Sequence, residues 1–514
     1  TTVGGSALAG TISNIETINV ISDGAVTINT NTSSVSGVTT LTGKATTGDV
    51  DIDTNGDVTS VTLTGTSETV SIVDNATTDV ITTVSITGAG GTAGTNSKTI
   101  TSTALTTLTL ADISGVENDD DDDDITTDST SALALNLSGV VIGAADILAA
   151  TATSATVTTS GSTNMVVDDL DFSAATTVSI AANKQITIDG LDIAAASKLT
   201  VTGTDQLILT AGTYTALTEV DATGNSGGVT MTAALAVDDK FSGGSGNDSI
   251  SIAAATVAHT TGAGADTVTF SAALGTGGSV DAGDGTDILK TTATLAANDS
   301  LSANTTFAGT ISNFETLELT GTNVTKTVNL TNLDNLSNVR LAAGATAVTL
   351  DNLASGGTVT YLGANTATVV NVKDATLGGN TTDTLTLNTT IATSGGSVNF
   401  GTISAAGVET ITLDTTRTGT AVAADINRVD LTAANVITLN VTGNVDADLT
   451  NQALTAASLQ TINASANTGG LLVTTAGATQ GISITGSATG ANTITGGNGG
   501  DNITGGSGID TITG

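Results

Sequence analysis

Leu170-Asp171-Phe172-Ser173-Ala174-Ala175-Thr176-Thr177-Val178-Ser179-Ile180 returns a short interval later as Leu191-Asp192-Ile193-Ala194-Ala195-Ala196-Ser197-Lys198-Leu199-Thr200-Val201, and looser versions occupy 333–341 and 456–462. Much of the rest alternates apolar residues with Thr, Ser or Asn, as in Val61-Thr62-Leu63-Thr64 and Ile437-Thr438-Leu439-Asn440-Val441-Thr442. A period of two with β-branched residues makes strands. Short strands recurring at a period near twenty stack as coils that share one core. The expected fold is therefore all-β, built of parallel β-solenoid or β-roll modules with roughly 25 coils. The alternative is a β-sandwich of convergent low-complexity strands. Helix is expected at most as a short turn in the Ala-rich segments 144–152 and 253–258.

Composition narrows the chemistry. With 11 basic and 49 acidic residues the net charge is -38, which repels phosphate and excludes nucleic acid as a partner. There is no Cys, so thiol catalysis, disulfides and thiolate metal sites are excluded. Low total charge and 39% hydrophobic residues permit a core of small aliphatic side chains, but 2% aromatics furnish no large apolar pocket or stacking platform. The best membrane-span candidate, 139–145, runs into Asp146, so the chain does not span a membrane as a helix.

Gly10-Thr11-Ile12-Ser13-Asn14-Ile15-Glu16-Thr17-Ile18 returns as Gly309-Thr310-Ile311-Ser312-Asn313-Phe314-Glu315-Thr316-Leu317, with Gly407-Val408-Glu409-Thr410-Ile411 a shortened relative. These read as module starts. Segments rich in Gly and Asp divide the chain into a Thr-rich solenoid module at 1–235, a Gly-Asp segment at 236–290, a second Thr-rich module at 291–485 and a second Gly-Asp array beginning at 486–514.

Gly243-Gly244-Ser245-Gly246-Asn247-Asp248-Ser249-Ile250-Ser251 fits the nonapeptide G-G-x-G-x-D-x-U-x at every fixed position. Asp239 and Phe241 belong to a degenerate copy before it. Gly262, Gly264 and Asp266 mark a later copy, and Gly283, Gly285 and Asp287 another. Gly496, Gly497, Gly499 and Asp501 are followed directly by Gly505, Gly506, Gly508 and Asp510, with Asn492 at the Asp position of the preceding nonapeptide. Glycines allow positive φ and turn carbonyls inward, Asp supplies a carboxylate, and the apolar position starts a short strand. Calcium takes six to eight oxygens, which carbonyls and carboxylates of two stacked turns supply. Two nonapeptides make one coil, so Asp248 and Asp266, like Asn492 and Asp510, fall one full coil apart on the same edge. All of these glycines and aspartates are candidate calcium-site residues.

These nonapeptides resemble the RTX family of calcium-binding β-rolls. Their alternation with Thr-rich, Cys-free strand modules, and the I-S-N-h-E-T motif after a Gly-Asp block, resembles the RTX-type surface-layer proteins of Gram-negative bacteria. The resemblance implies a non-enzymatic structural protein, exported by type I secretion, that self-assembles through calcium into a two-dimensional lattice on the cell surface. Its partners would be calcium, other copies of itself and outer-membrane lipopolysaccharide, the last through a part of the protein outside this sequence. It also implies further RTX repeats and an export signal after residue 514, and an anchoring domain before residue 1. The alternative is an RTX adhesin or ice-binding module. An RTX protease or lipase is disfavoured because H-E-x-x-H and G-x-S-x-G are absent.

Other features carry competing readings. Asp119–Asp124 is a like-charge block, read as a solvated loop with a metal site as the alternative. Asp51-Ile52-Asp53-Thr54-Asn55-Gly56-Asp57 copies the first half of an EF-hand loop, but Thr62 replaces the twelfth-position Glu, so a surface turn is expected. His259, the sole imidazole, falls on an inward apolar position and is expected to be structural rather than catalytic.

Overall fold

The computed structural model describes residues 12–30, 35–45, 48–54, 56–65, 69–88, 97–114, 124–143, 145–301, 309–321, 325–344, 347–377, 381–389, 396–418, 425–454 and 456–514. The expected class is found: 53% of the chain is strand and 2% helix, and parallel sheets form a β-solenoid of about 20 turns. Two compact units are resolved, Thr1–Asp266 and Thr267–Gly514.

In the first unit one parallel sheet runs from Thr17–Ser22 to Ala258–Thr260 and a second from Val26–Asn29 to Ser249–Ile252. The sequence repeat and the stacking agree residue for residue: Leu170 lies on Leu191, and Ile180 on Val201. Leu41, Val61, Val84, Leu108, Leu135, Val157, Ile180 and Val201 form a single column. Each is 0% exposed, and such burial contributes about 1.5–3 kcal/mol per side chain. The alternate residues face outward as rows of hydroxyls, Thr40, Ser60, Thr83 and Thr107 beside Thr42, Thr62, Ser85 and Thr109. Period two in the sequence thus becomes one dry and one polar face in every coil.

The second unit repeats this logic, with Leu289, Leu317, Val339, Val359, Leu387, Leu413 and Val441 in one buried column. Fewer coils form than expected because coil length varies. Ser242 pairs with Thr260, which closes a short coil of two nonapeptides, whereas the coil from Thr358 to its partner Thr386 is much longer.

Among the described residues of the two expected segments there is no helix, only a single turn in which the Ala152 amide donates to Ala149 O at 3.0 Å. Within 144–152 the chain instead forms the strand Ile147–Leu148, and the described α-helix is Ala293–Asp299, where the Thr292 side chain caps the Leu295 amide. The expected segments have Ala but no capping residue placed against a first turn, and a cap decides whether so short a helix forms.

Charged side chains are also set by the stacking. Lys198, Glu219 and Lys240 occupy one row, with Lys198 Nζ 3.2 Å and Lys240 Nζ 3.6 Å from the Glu219 carboxylate. In the second unit Lys290, Glu318 and Arg340 form an equivalent row. Inside that unit Arg417 is buried and pairs with buried Asp425 at 2.7 Å.

Candidate metal centre

The Gly-Asp segment folds into coils of only two nonapeptides because glycine lets successive turns touch. A Cβ on Gly243 would collide with Thr261 O and Asp248 Oδ2, and one on Gly262 with Gly244 O. Gly262, at φ +98, also needs the left-handed region, but Gly243, Gly244 and Gly246 do not occupy it. For those three the requirement is missing bulk rather than the positive φ that the sequence pattern led us to expect. At Gly243 and Gly244 the atoms nearest the missing side chain are oxygens, whereas at Gly246 they are backbone atoms of Gly227 and Gly228.

Asp248 and Asp266 come together as their spacing requires. The Asp248 amide donates to Asp266 Oδ1 at 2.7 Å, and the Val229 amide donates to Asp248 Oδ1 at 2.6 Å. Each carboxylate therefore reaches one coil back and clamps a backbone N–H. Asp248 Oδ2 meets no hydrogen-bond partner although the residue is 2% exposed. Burial, with a smaller contribution from Asp266, pushes the Asp248 carboxyl up to about 7, against the opposing effect of the Val229 and Gly244 amides. Burial raises Asp266 as well. Two acids that resist ionisation, beside the carbonyl oxygens of Thr261, Asn225 and Gly244 that crowd Gly243, Gly244 and Gly262, fit a hard divalent cation such as calcium.

At the C-terminus the same ladder recurs. The Asn492 amide and side-chain Nδ2 donate to Asp510 Oδ1 at 3.0 and 2.8 Å, and the Ile482 amide donates to Asp501 Oδ1 at 2.9 Å. Asp501 and Asp510 also accept from the Gly497 and Gly506 amides, both at 2.8 Å. Those donors, the Gly506 amide foremost, hold Asp510 below the usual carboxylate range. This edge is a rung with one carboxylate and one amide, whereas Asp248 and Asp266 make a rung with two carboxylates.

The remaining candidates are placed differently. Asp239 is buried in a turn, where its Oδ2 accepts from Ala236 N at 3.1 Å, and it shares no rung with Asp248. The Asp287 amide donates to Glu315 Oε2 at 2.7 Å. Glu315 belongs to the I-S-N-h-E-T motif, and in its shortened relative the Asp383 amide donates to Glu409 Oε2 at 2.9 Å. Both glutamates do what Asp266 does for Asp248. Sequence reasoning missed Asp383 and Glu409, although Asp383-Thr384-Leu385-Thr386 repeats the pattern of Asp248-Ser249-Ile250-Ser251; Thr381 stands where the nonapeptide requires Gly and hid the relation.

The EF-hand-like segment is partly strand, Val50–Thr54, and Asp53 accepts from Asn29 and Asn75 side chains in the adjoining coils. Of the acidic run, 119–123 lie outside the described residues. No group of three or more His, Cys, Asp or Glu side chains placed to hold a metal occurs among the described residues, so carbonyl oxygens must complete any site here. His259 is 1% exposed, its Nδ1 accepting from the Phe241 amide at 3.2 Å. Among the described residues no helix is long and apolar enough to cross a membrane. No model of a protein family matches the chain, and neither does any curated protein.

Proposed function

We propose that the chain is a calcium-dependent structural protein of a bacterial surface layer, secreted and self-assembling into a two-dimensional lattice, with no catalytic step. The observation that carries the reading is the Asp248–Asp266 rung, two buried carboxylates beside turn carbonyl oxygens. Asp248, Asp266 and neighbouring turn carbonyls would hold the ion, which supplies the positive charge the two acids lack. Parallel coils give rigid length, and flat hydroxyl-covered faces give lateral contact surfaces. Electron microscopy of the full chain with calcium should show an ordered lattice that disperses on chelation. Compact particles with hydrolytic activity, or calcium-indifferent monomers, would overturn the reading.

The rows Thr40/Thr42, Ser60/Thr62, Thr83/Ser85 and Thr107/Thr109 favour a second reading, an RTX adhesin or ice-binding module. Regularly spaced hydroxyls on a flat face present an ordered array to ice. Dispersed protein showing thermal hysteresis would select it.

A further inference from the structure

We propose that Asp383 and Glu409 form an additional site for a hard divalent cation of the calcium class in the second unit, where Asp383 holds the Asp position of a degenerate nonapeptide and Glu409 lies in the shortened I-S-N-h-E-T relative. Thr384 pairs with Thr410 in adjacent parallel strands, so Asp383 and Glu409 stand one above the other at the entry to successive coils. Both are buried on the same side of their strands as the core residues Leu385 and Ile411, at 3% and 9% exposure. Glu409 Oε2 accepts from the Asp383 amide, as Asp266 Oδ1 accepts from the Asp248 amide.

That bond explains Glu409 but not Asp383. A side chain present only to hold the coil would be engaged, yet among the described residues no donor bonds the Asp383 carboxylate, and its Oδ2 is sealed from solvent with no partner. Neither acid forms an ion pair with a basic residue there. Asp248 Oδ2 is in the same condition. A buried carboxylate lacking donors beside a second carboxylate calls for a compensating positive charge. The two acids offer up to four oxygens, and turn carbonyls and water complete the shell of six to eight that calcium takes.

The site shares its ion with the proposed function and none of its residues, so the two can fail separately. Hydrogen exchange of the full chain, with calcium and with chelator, is compared for wild type, Asp248→Asn/Asp266→Asn, Asp383→Asn and Glu409→Gln. Peptides covering 381–389 and 409–415 should slow at least tenfold with calcium in wild type and in the Asp248/Asp266 double variant. That increment should vanish in Asp383→Asn and Glu409→Gln, with one fewer calcium bound. Glu409→Gln retains an acceptor for the Asp383 amide, so it decides the matter if Asp383→Asn does not fold. If 229–266 responds to calcium and 381–415 does not, this site is refuted and the surface-layer reading stands. If neither responds, both fall. Protection of 381–415 that follows pH and ignores calcium would assign a shared proton instead and overturn the inference.

Discussion

The Asp248 amide donates to Asp266 Oδ1 across 2.7 Å, so the carboxylate proposed to meet an ion is the same group that fastens its coil to the coil before. Under the proposed function, cation binding and coil stacking would be one structural event, and calcium held only by the folded rung would act as a folding ligand.

The first prediction concerns pH without calcium. The Asp248 carboxyl, pushed up to about 7 from 3.8, binds its proton more tightly in the folded state. Its neutral form is therefore accommodated fully below pH 4, and stability falls as pH rises from about 4 to 7, by on the order of 4 kcal/mol for this group alone. Melting of the calcium-free protein relative to Asp248→Asn should show this loss between pH 4.5 and 7.5. Under the proposed function, calcium held by the ionised form should abolish it. Equal pH profiles for wild type and variant would contradict the assignment.

Asn492 provides a natural comparison for the second prediction. It occupies the Asp position and donates to Asp510 Oδ1 at 2.8 Å, so its rung closes with one negative charge. Asp248→Asn with Asp266→Asn should likewise keep the coils fastened while losing the ion. Two charges about 5 Å apart repel by roughly 3 kcal/mol at an effective dielectric near 20, and that term disappears in the variant. Calorimetric titration should show lost binding at the central rung and a higher calcium requirement for assembly. Undiminished calcium stoichiometry in the double variant would count against it.

The repeat made most of this fold legible. The interval between the two copies put Leu170 on Leu191, and the two-nonapeptide spacing of Asp248 and Asp266 produced their rung, because in a solenoid sequence period is stacking distance. Coil length was not legible where Thr358 pairs with Thr386, since insertions at turns leave strand alternation unchanged. Glu409 was hidden for a related reason. Its partner Asp383 lies outside any nonapeptide register with it, and only the fold brings the two together.

His259 supplies the third prediction. With Nδ1 accepting from the Phe241 amide, the ring is neutral and its proton sits on buried Nε2. Burial first, and Lys240 second, push its pKa down to about 4. Folded-state resistance to protonation means stability is complete above 6.5 and falls as pH drops from 6.5 toward 4. This trend opposes that of Asp248, so His259→Leu should remove it alone and leave assembly intact at neutral pH. His259→Ala should also assemble, at a cavity cost of roughly 2–4 kcal/mol. A His259 imidazole resonance titrating near 6.5 in the folded protein would refute the placement.

A fourth prediction tests the buried pair in the second unit. Arg417 Nη1 lies 2.7 Å from Asp425 Oδ1, and Arg417 also donates to Gly396 O at 2.8 Å and to Asn427 Oδ1 at 3.3 Å. Asp425→Asn leaves a buried guanidinium without its counter-charge and should cost about 3–5 kcal/mol. Replacing both partners by apolar residues should cost much less, because no lone charge then remains. Denaturant melts of the two variants separate the cases, and similar losses in both would show that the pair acts through packing rather than charge.

The last prediction separates the two kinds of coil. In the Thr-rich coils the stacked interior is Leu41, Val61, Val84, Leu108 and their neighbours, with no ionisable group in the column. Their stability comes from apolar burial and should be indifferent to calcium. In the Gly-Asp coils much of the side-chain volume has been exchanged for close backbone approach, so Gly243 and Gly262 contribute no apolar area. The turns instead depend on Asp248 and Asp266, whose charges oppose folding at neutral pH unless neutralised. Chelation should therefore open 243–266 first and disperse the lattice, while amides of Thr40–Ala45, Ser60–Thr64 and Thr83–Thr87 keep their protection. Hydrogen exchange with and without chelator measures both regions in one sample. Simultaneous loss of protection throughout the first unit would mean that calcium holds the whole stack rather than its glycine-rich coils.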